Sequence, residues 1–370
     1  MSHPSDTPGA GAVTWPDTLR REQCAQWLAP LAERHGLLPE TLRPASADAS
    51  FRRYLRIDTR VPGTSRIVMD APPDKEDCAP FVRVQALMQE AGLQVPEVLD
   101  WNRAHGFLLL SDLGRQTVIE RLDPADPHAA APWYREATQV LLRWQQASRP
   151  GVLPPYDAAL LHRELALFPE WYVARHRQVV LSDAQQQVLR AAFERIVAEN
   201  LQAPSVYVHR DFMMRNLMAP ALGTGVSPLG VLDFQDAVYG PITYDVASLL
   251  RDAFISWDED FVLDITVRYW EQARKAGLLG AASASGWGDD FGAFYRSVEW
   301  MGLQRHLKVA GIFARLGLRD GKAKYLQDTP RFIGYIRATA RRYRELAPLA
   351  RLIDQIEGDA APVGYAFGRM

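Results

Sequence analysis

The sequence predicts an α+β protein with two lobes, a small antiparallel β-rich lobe followed by a large helical lobe. The chain has 370 residues, which exceeds the length at which a single hydrophobic core stops growing. Its 48% hydrophobic and 23% charged residues are typical of a globular protein. Alternating apolar residues are concentrated before about residue 115, and helical periodicity dominates after it.

The first lobe combines one helix with a sheet. Residues 1–17 are rich in Pro, Gly and Ser and are expected to form a disordered tail. A helix is predicted over 18–35, and period-two alternation from 42 to 69 predicts antiparallel strands in "FRRYLRID" and "RIVMD". A second helix over 77–92 ends at Gly92, and "VPEVLDWN" and "GFLLLSDLG" add two strands.

These elements predict an N-lobe at 18–110, a crossing segment at 111–115 and a C-lobe at 116–370. The C-lobe is predicted to be mostly helical. Its predicted helices cover 132–148, 158–178, 182–200, 243–276, 288–315 and 330–356. Two short strands, "SVYVH" and "GVLDF", interrupt the helices between 205 and 240.

Composition and charge exclude several classes of protein. The net charge of −2 offers no basic surface for nucleic acid or for an anionic membrane. The two cysteines, Cys24 and Cys78, are far apart, which excludes a disulfide scaffold and a thiolate zinc site. The sequence contains neither an apolar signal segment nor a run of about 18 apolar residues, so we expect a soluble cytoplasmic protein.

Two acidic stretches are the strongest functional signal. Asp211 directly follows one apolar strand, Asn216 comes five residues later, and Asp233 follows a second apolar strand. A hairpin between the strands is predicted to bring Asn216 and Asp233 side by side, with Asp211 on the adjoining loop. Asn216 and Asp233 are then suited to bind Mg²⁺, and Asp211 to accept a proton. "HRDFMMRN" has the spacing of a kinase catalytic loop.

At these residues the chain resembles the aminoglycoside phosphotransferase/choline kinase family. Its motifs HxDxxxxN and DFxxAxxGPxxYDxxxL are met by residues 209–216 and 233–249. The stretches "FQDAVYGPITYDVASLLRDAF", "VMDAPPDKEDCAPFV" and "QRHLKVAGIFARL" resemble a narrower group, the bacterial anomeric N-acetylmuramate/N-acetylglucosamine kinases of cell-wall recycling. The resemblance covers about residues 20–350 and implies a two-lobed protein-kinase-like fold that uses ATP and Mg²⁺.

The resemblance also implies roles for individual residues. Asp211 is expected to be the catalytic base, and Asn216 and Asp233 the magnesium ligands. His209 and Asp245 are expected to be structural, with Asp245 a buried carboxylate that ties the catalytic loop to the following helix. Asp236 is assigned to the substrate side of the site, with contact to the metal or the cap of a turn as the alternatives.

The sequence departs from the kinase pattern in the N-lobe. The position expected for a phosphate-binding lysine holds Met69, beside Asp70. Arg52 and Arg53 are the candidates to replace it, although an exposed arginine pair on an edge strand explains them equally well. Small residues at 46–50, with Ser46 and Ser50 at their ends, are predicted to cradle the phosphates in place of a glycine-rich loop.

Adenine and acceptor contacts are predicted from two further regions. The segment "LLLSDLG" (108–114) resembles the hinge of the family, which implies that backbone groups of Ser111 and Leu113, with Leu110 lining the pocket, bind adenine, unless the segment only packs the lobes together. For the acceptor, the candidates on helices are Glu164, Trp171 and Arg305, although a purely structural role is the alternative for each. A cation such as Arg305 or Lys308 suits the lactyl carboxylate of N-acetylmuramate.

The predicted activity is therefore transfer of the ATP γ-phosphoryl group to the anomeric hydroxyl of N-acetylmuramate or N-acetylglucosamine. The resemblance also implies a sugar-1-phosphate nucleotidyltransferase as the pathway neighbour. Two alternatives remain: a kinase of the same superfamily acting on an aminoglycoside, choline or homoserine, and a non-catalytic pseudokinase that serves as a binding module. The predicted acceptor region contains arginine as well as acidic residues, which disfavours cationic acceptors. The presence of Asp211, Asn216 and Asp233 disfavours the pseudokinase.

Overall fold

The computed structural model describes residue 11 and residues 13–47, 51–220, 228–280 and 286–358. The chain divides into two compact units. The first consists of Met1–Thr117 and Leu217–Asp236, and the second of Val118–Asn216 and Ala237–Met370. The first unit is built on a five-stranded sheet and the second is largely helical, so the predicted α+β class is confirmed.

An antiparallel sheet forms the centre of the first unit. Its strands are β1 (Arg43–Ala47), β2 (Arg53–Asp58), β3 (Ser65–Asp70), β4 (Val98–Asn102) and β5 (Phe107–Ser111). They are arranged in the order β1-β2-β3-β5-β4. Short connections join β1 to β2, β2 to β3 and β4 to β5, which allows these pairs to be antiparallel, whereas residues 71–97 between β3 and β4 include a helix and place β4 beyond β5.

Helix α1 (Thr18–His35) packs on one face of this sheet. It begins where the Asp17 side chain accepts a hydrogen bond from the Arg20 backbone at 2.6 Å, and it ends at Gly36, whose φ of +62° stops the helix. Its apolar side chains Cys24, Leu28 and Leu31 join a buried cluster with Leu55, Ile57, Val68, Phe107 and Leu109. Burial of this cluster fixes the helix against the strands.

The segment 217–236 belongs to the first unit, although it follows 99 residues of the second (118–216). It contains the paired strands β7 (Leu217–Met218) and β8 (Gly230–Val231). Met218 also bridges to Thr117, and the Val231 backbone donates to the carbonyl of Gln94 at 2.8 Å. The boundaries predicted from the sequence placed this segment in the C-lobe; its backbone bonds join it to the first unit instead.

The second unit is a helical assembly with one short ribbon. Its helices are α3 (Pro127–Gln146), α4 (Ala158–Leu165), a π-helix (Phe168–His176), α5 (Asp183–Asn200), α6 (Thr243–Leu250), α7 (Glu259–Lys275), α8 (Phe291–Leu318), α9 (Thr329–Arg342) and α10 (Ala347–Glu357). Strands β6 (Ser205–Val208) and β9 (Val238–Pro241) pair antiparallel. Helix α8 is the centre of this unit and contacts α5, α6, α9 and the π-helix.

Three helices that were predicted to be continuous are interrupted in the structure. The helix predicted over 243–276 is broken between α6 and α7, where Asp258 caps a new helix by accepting from the Phe261 backbone at 2.8 Å. The helix predicted over 330–356 is divided at Tyr343, whose backbone is extended. The helix predicted over 158–178 continues after α4 as the π-helix, because Pro169 cannot donate a backbone hydrogen bond.

Close packing around α8 requires a glycine. A Cβ atom at Gly311 would lie 2.4 Å from the carbonyl oxygen of Leu167, at the start of the π-helix. A side chain there would force the two elements apart, so Gly311 allows α8 to approach the π-helix closely.

In the part of the chain that the structure describes, no helix is both long enough and apolar enough to span a bilayer.

Candidate active site

The loop 209–216 follows strand β6 in the second unit. Arg210 has a φ of +78°, which non-glycine residues rarely adopt. The backbone N–H groups of His209 and Arg210 donate to the Asp245 carboxylate at 2.7 and 3.0 Å. Asp245 lies on α6 and is fully buried. Its two bonds hold the strained backbone in place.

Asp211 lies half-buried in the middle of this loop. Its backbone N–H donates to Nδ1 of His209 at 3.3 Å, and the Asn216 amide Nδ2 donates to its carbonyl oxygen at 2.8 Å. The His209 ring is buried and packs edge-on against Phe212. The local bonds therefore fix the backbone on both sides of the Asp211 side chain.

The oxygen of the Asn216 side chain is suited to a metal ion. The NH₂ group of this amide donates to the Asp211 carbonyl, and the side-chain oxygen is a neutral, hard oxygen of the kind that suits a cation. Among the residues that the structure describes, no group of three or more His, Cys, Asp or Glu side chains is arranged to hold a metal. A site with one or two protein oxygens fits Mg²⁺, which keeps waters and binds substrate phosphates.

A buried charge network lies behind the loop, which we call the Glu164 cluster: Glu164, Arg210, Lys308, Tyr156 and Gln304. The Glu164 carboxylate pairs with Arg210, accepts from Lys308 Nζ at 2.9 Å and from Gln304 Nε2 at 3.1 Å, and is bonded to the Tyr156 hydroxyl. Both carboxylate oxygens are engaged by these donors. Since Arg210 is the neighbour of Asp211 in sequence, the cluster fixes the loop next to the predicted base.

Charge pairing dominates the electrostatics of this cluster. Burial raises the pKa of Glu164, but the charges of Lys308 and Arg210 outweigh burial and lower the pKa to about 2. Burial lowers the pKa of Lys308, whereas Tyr244, Glu164 and Asp211 raise it, with a net increase. Glu164 and Lys308 are therefore both charged at neutral pH. The charge of Asp211 also favours the charged form of Lys308.

Asp233, the second predicted magnesium ligand, belongs to the first unit. It follows β8 with a φ of +63° and has a side chain that is 35% exposed. Gln235 Nε2 donates to its Oδ1 at 2.8 Å. The next residue, Phe234, is buried against Phe81 of helix α2 (Ala79–Glu90), with ring centroids 4.8 Å apart. Anchoring of Phe234 supports the unusual backbone at Asp233.

Arg52 and Arg53 point to different partners. Arg52 lies 4.0 Å from Asp233 Oδ1 and 4.0 Å from Glu76 Oε2. Arg53 pairs instead with the Asp70 carboxylate and donates to the Thr14 carbonyl at 2.5 Å. Adjacent side chains on an extended strand face opposite sides, which explains the division.

The position expected for the lysine holds residues that cannot replace it. Met69 and Asp70 are completely buried in β3. Asp70 Oδ1 accepts from Arg20 Nε and Nη2 of α1 at 2.9 and 2.5 Å, and its Oδ2 is engaged by Arg53. Asp70 is thus a structural carboxylate that joins α1, β2 and β3.

The predicted nucleotide contacts lie at the end of β5 and of β1. Leu110 is buried, and the Ser111 backbone N–H donates to the Glu97 carbonyl at 2.9 Å. Leu113 is half-buried, and its Cδ1 lies close to Gly230 of β8. Ser46 is within β1, opposite Tyr54, whereas Ser50 lies outside the described residues.

The predicted acceptor residues differ in accessibility. Trp171 is 9% exposed and is covered by Arg175, whose Cζ lies 4.1 Å from the ring centroid. Arg305 is 2% exposed, with Nη2 3.1 Å from Met213 Sδ. Glu164 is engaged as described above, and Asp236 has an exposed side chain.

Sequence reasoning missed several charged side chains that organise the site. Arg20 binds Asp70, and Glu76 lies beside Arg52. Arg56 pairs with Asp112 at 2.6 Å and ties the start of the crossing segment to the sheet. The one local signal was a carboxylate inside an apolar stretch, as in "SRIVMD", which indicates that a distant cation must approach it.

Comparison with known proteins decides the family. Residues 41–279 match the sequence profile described as "Phosphotransferase enzyme family". The chain belongs to the phosphotransferase enzyme family. This phosphotransferase is 50% identical over 325 residues to the N-acetylmuramate/N-acetylglucosamine kinase of Neisseria meningitidis, a match that covers 87% of this chain and 93% of that protein. It is 45% identical over 344 residues to the enzyme of the same name from Pseudomonas aeruginosa, covering 91% and 97% of the two chains.

Solved structures support the fold of this phosphotransferase. Plasmodium vivax ethanolamine kinase has a TM-score of 0.58 at 10% identity, over 88% of this chain and 89% of that chain. The structure of the gentamicin complex of APH(2'')-IIa has a TM-score of 0.55 at 14% identity, over 87% and 97%. The predicted protein-kinase-like fold and the resemblance to the aminoglycoside phosphotransferase/choline kinase group are both confirmed.

Proposed function

We propose that this protein is an ATP- and magnesium-dependent kinase that phosphorylates the anomeric hydroxyl of N-acetylmuramate or N-acetylglucosamine in peptidoglycan recycling. The observation that carries the proposal is 50% identity to a kinase of that name over 93% of its length. The loop 209–216 supports the reaction class, because its backbone bonds fix an aspartate and an asparagine at the spacing that phosphoryl transfer requires.

Asp211 is the proposed base. Its carboxylate accepts the proton of the sugar hydroxyl as the hydroxyl oxygen bonds to the γ-phosphorus and the bond to the ADP oxygen breaks. An anomeric hydroxyl is more acidic than an ordinary alcohol, so a carboxylate without exceptional basicity suffices. The Asp245 and Asn216 bonds hold the Asp211 backbone, so the carboxylate is oriented before the substrate binds.

Asn216 and Asp233 are the proposed magnesium ligands, since each presents a hard oxygen donor. When bound, Mg²⁺ neutralises charge on the ATP phosphates. The positive φ of Asp233 and the anchor of Phe234 hold this carboxylate at a fixed backbone position.

Arg52 is the proposed cation for the triphosphate, because Arg53 is committed to Asp70. Glu76 accepts from the Phe51 backbone at 3.1 Å and lies beside Arg52, so it steadies the strand end that carries the arginine. For the adenine we propose Leu110, Ser111 and Leu113, with Ser46 and Ser50 near the phosphates.

For the acceptor we propose Asp236, which is the most exposed of the four predicted side chains. Glu164, Trp171 and Arg305 are buried, and their engagement with protein groups favours a role in shaping the site. The product is a sugar 1-phosphate, which a nucleotidyltransferase is proposed to consume.

Magnesium-dependent ADP release tests the proposal, with N-acetylmuramate, N-acetylglucosamine, kanamycin and choline as separate acceptors. We expect turnover on the two amino sugars, a product phosphate that is acid-labile but alkali-stable, and loss of turnover in Asp211→Asn. Turnover on kanamycin or choline alone would refute the proposal that the acceptor is an amino sugar of this kind. ATP binding without turnover on any acceptor would favour a pseudokinase.

A further inference from the structure

Helix α8 carries a buried arginine beneath the 209–216 loop. Arg305 is 2% exposed, and its Nη2 lies 3.1 Å from Sδ of Met213, two residues after Asp211. Its Nε and Nη1 are buried and have no hydrogen-bond partner among the residues that the structure describes. A guanidinium is seldom buried this deeply without carboxylates near it.

Two buried carboxylates lie near the same loop. Asp245 accepts the backbone N–H groups of His209 and Arg210, before Asp211. Asp252, which is 1% exposed, accepts from the Phe254 backbone at 2.8 Å, and its Oδ2 is buried without a hydrogen-bond partner among the residues that the structure describes. The predicted base thus lies between the backbone that Asp245 anchors and Met213, which Arg305 contacts.

Arg305 stabilises the charged form of both carboxylates. Burial raises the pKa of Asp245 to about 7 and that of Asp252 to about 6, and the Arg305 charge opposes the increase in each. Asp211 also acts on Asp245, raising its pKa, and Arg215 lowers that of Asp252. In addition to burial, the charge of Asp245 raises the pKa of Tyr269, and that of Asp252 raises the pKa of Tyr134 and of Tyr335.

We propose that Arg305 is a positioning residue that clamps the 209–216 loop through its contact with Met213, with its charge also supporting Asp245. Its Nη2 lies 3.1 Å from the Met213 sulfur, two residues after Asp211. Ionised carboxylates accept backbone N–H bonds more strongly than neutral ones, so the arginine also strengthens the Asp245 anchor. The inference deepens the proposed kinase function and assigns Arg305 to the loop, in place of the lactyl carboxylate of the sugar.

Amide hydrogen exchange of the ligand-free protein tests the clamp without reference to activity. In Arg305→Met, the peptide that contains His209, Arg210 and Met213 is expected to exchange at least about tenfold faster, because its anchors are weakened. Arg305→Lys retains the charge and is expected to recover most of the protection. Unchanged exchange in Arg305→Met would overturn the proposal.

Steady-state kinetics distinguishes a positioning role from a sugar ligand. Arg305→Met is expected to lower kcat roughly 100-fold on both amino sugars, with KM for ATP and sugar nearly unchanged, because misplacement of the base affects the chemical step. Partial recovery of kcat is expected in Arg305→Lys. A selective rise in KM for N-acetylmuramate with kcat retained would instead make Arg305 a ligand of its carboxylate.

Arg337→Met is the matched control. Arg337 pairs with Asp354 between α9 and α10, and Arg341 pairs with the same carboxylate, so exchange in the loop and kcat should not change. If Arg305→Met fails to fold, Arg305→Gln is taken through both measurements with the same criteria. Inactive wild-type protein would refute the kinase function, whereas the exchange measurement would still decide the clamp.

Discussion

Two buried carboxylates, one in each unit, are bound by two cations each, yet their surroundings give them different roles. Asp70 pairs with Arg20 and Arg53 and joins a helix to two strands of the sheet. Glu164 pairs with Arg210 and Lys308, and Arg210 precedes the predicted base. The same pairing therefore joins a helix to the sheet in the first unit and fixes the loop of the proposed base in the second.

The largest effect is expected when Asp70 is removed. Asp70→Ala leaves Arg20 and Arg53 without their buried carboxylate, and breaking a buried pair from one side costs about 3–5 kcal/mol in free energy of unfolding. Urea denaturation measures the loss. Asp58→Ala is the control, since the Asp58–Arg43 pair is more exposed and is worth at most about 1 kcal/mol. Equal losses in the two variants would contradict a structural role for the Asp70 pairs.

Kinetic measurements should further distinguish the roles of Asp70 and Glu164. Glu164→Gln weakens the hold on Arg210 next to Asp211, and we expect kcat to fall roughly 100-fold. Asp70→Asn lies in the other unit and should keep kcat within about threefold of wild type while losing stability. Measurement uses saturating ATP and amino sugar at 25 °C. A comparable loss of kcat in both variants would show that the Glu164 cluster has no special link to the base.

The pH dependence of stability should show the Glu164 pairing directly. The pKa of Glu164 is lowered from 4.5 to about 2, so its contribution is present above pH 4.5 and is lost as the pH falls towards 2. Between pH 5 and pH 3 the loss amounts to about 2 kcal/mol. Wild type should lose that much more stability than Glu164→Gln in urea denaturation at the two pH values. Equal losses of stability in wild type and Glu164→Gln would mean that the folded protein does not hold the Glu164 carboxyl in its ionised form.

The smallest effect distinguishes the neighbouring arginines. Arg52→Gln should raise KM for ATP about tenfold, because it removes the proposed charged contact to the triphosphate. Arg53→Gln should leave that KM within about twofold and lower stability instead, since Arg53 serves Asp70. An unchanged KM in Arg52→Gln would exclude Arg52 as the replacement for the missing lysine.

Local signals predicted much of this molecule. Asp17 and Gly36 mark the ends of α1 as cap residues do, and alternation predicted strands β2 and β3. The motif at 209–216 identified Asp211 and Asn216 because chemistry constrains residues that are close in sequence. The roles of these side chains remain predictions.

Contacts between distant residues could not be predicted from one sequence. Arg20 and Asp70 are 50 residues apart, and Gln304 is 140 residues from Glu164. Only the tertiary fold determines which cation reaches which carboxylate. The break after α6 was predictable in part, because Asp258 is a suitable cap residue, but the apolar pattern on both sides of it favoured one continuous helix.

The central claim is phosphoryl transfer to the anomeric hydroxyl by the site around Asp211. Incubation with ATP, Mg²⁺ and N-acetylglucosamine labelled with ¹³C at C1, followed by NMR of the product, tests it most directly. Coupling of the labelled carbon to phosphorus in the wild-type reaction, and no product with Asp211→Asn, is the predicted result. A phosphate on any other carbon, or undiminished product with Asp211→Asn, would contradict the claim.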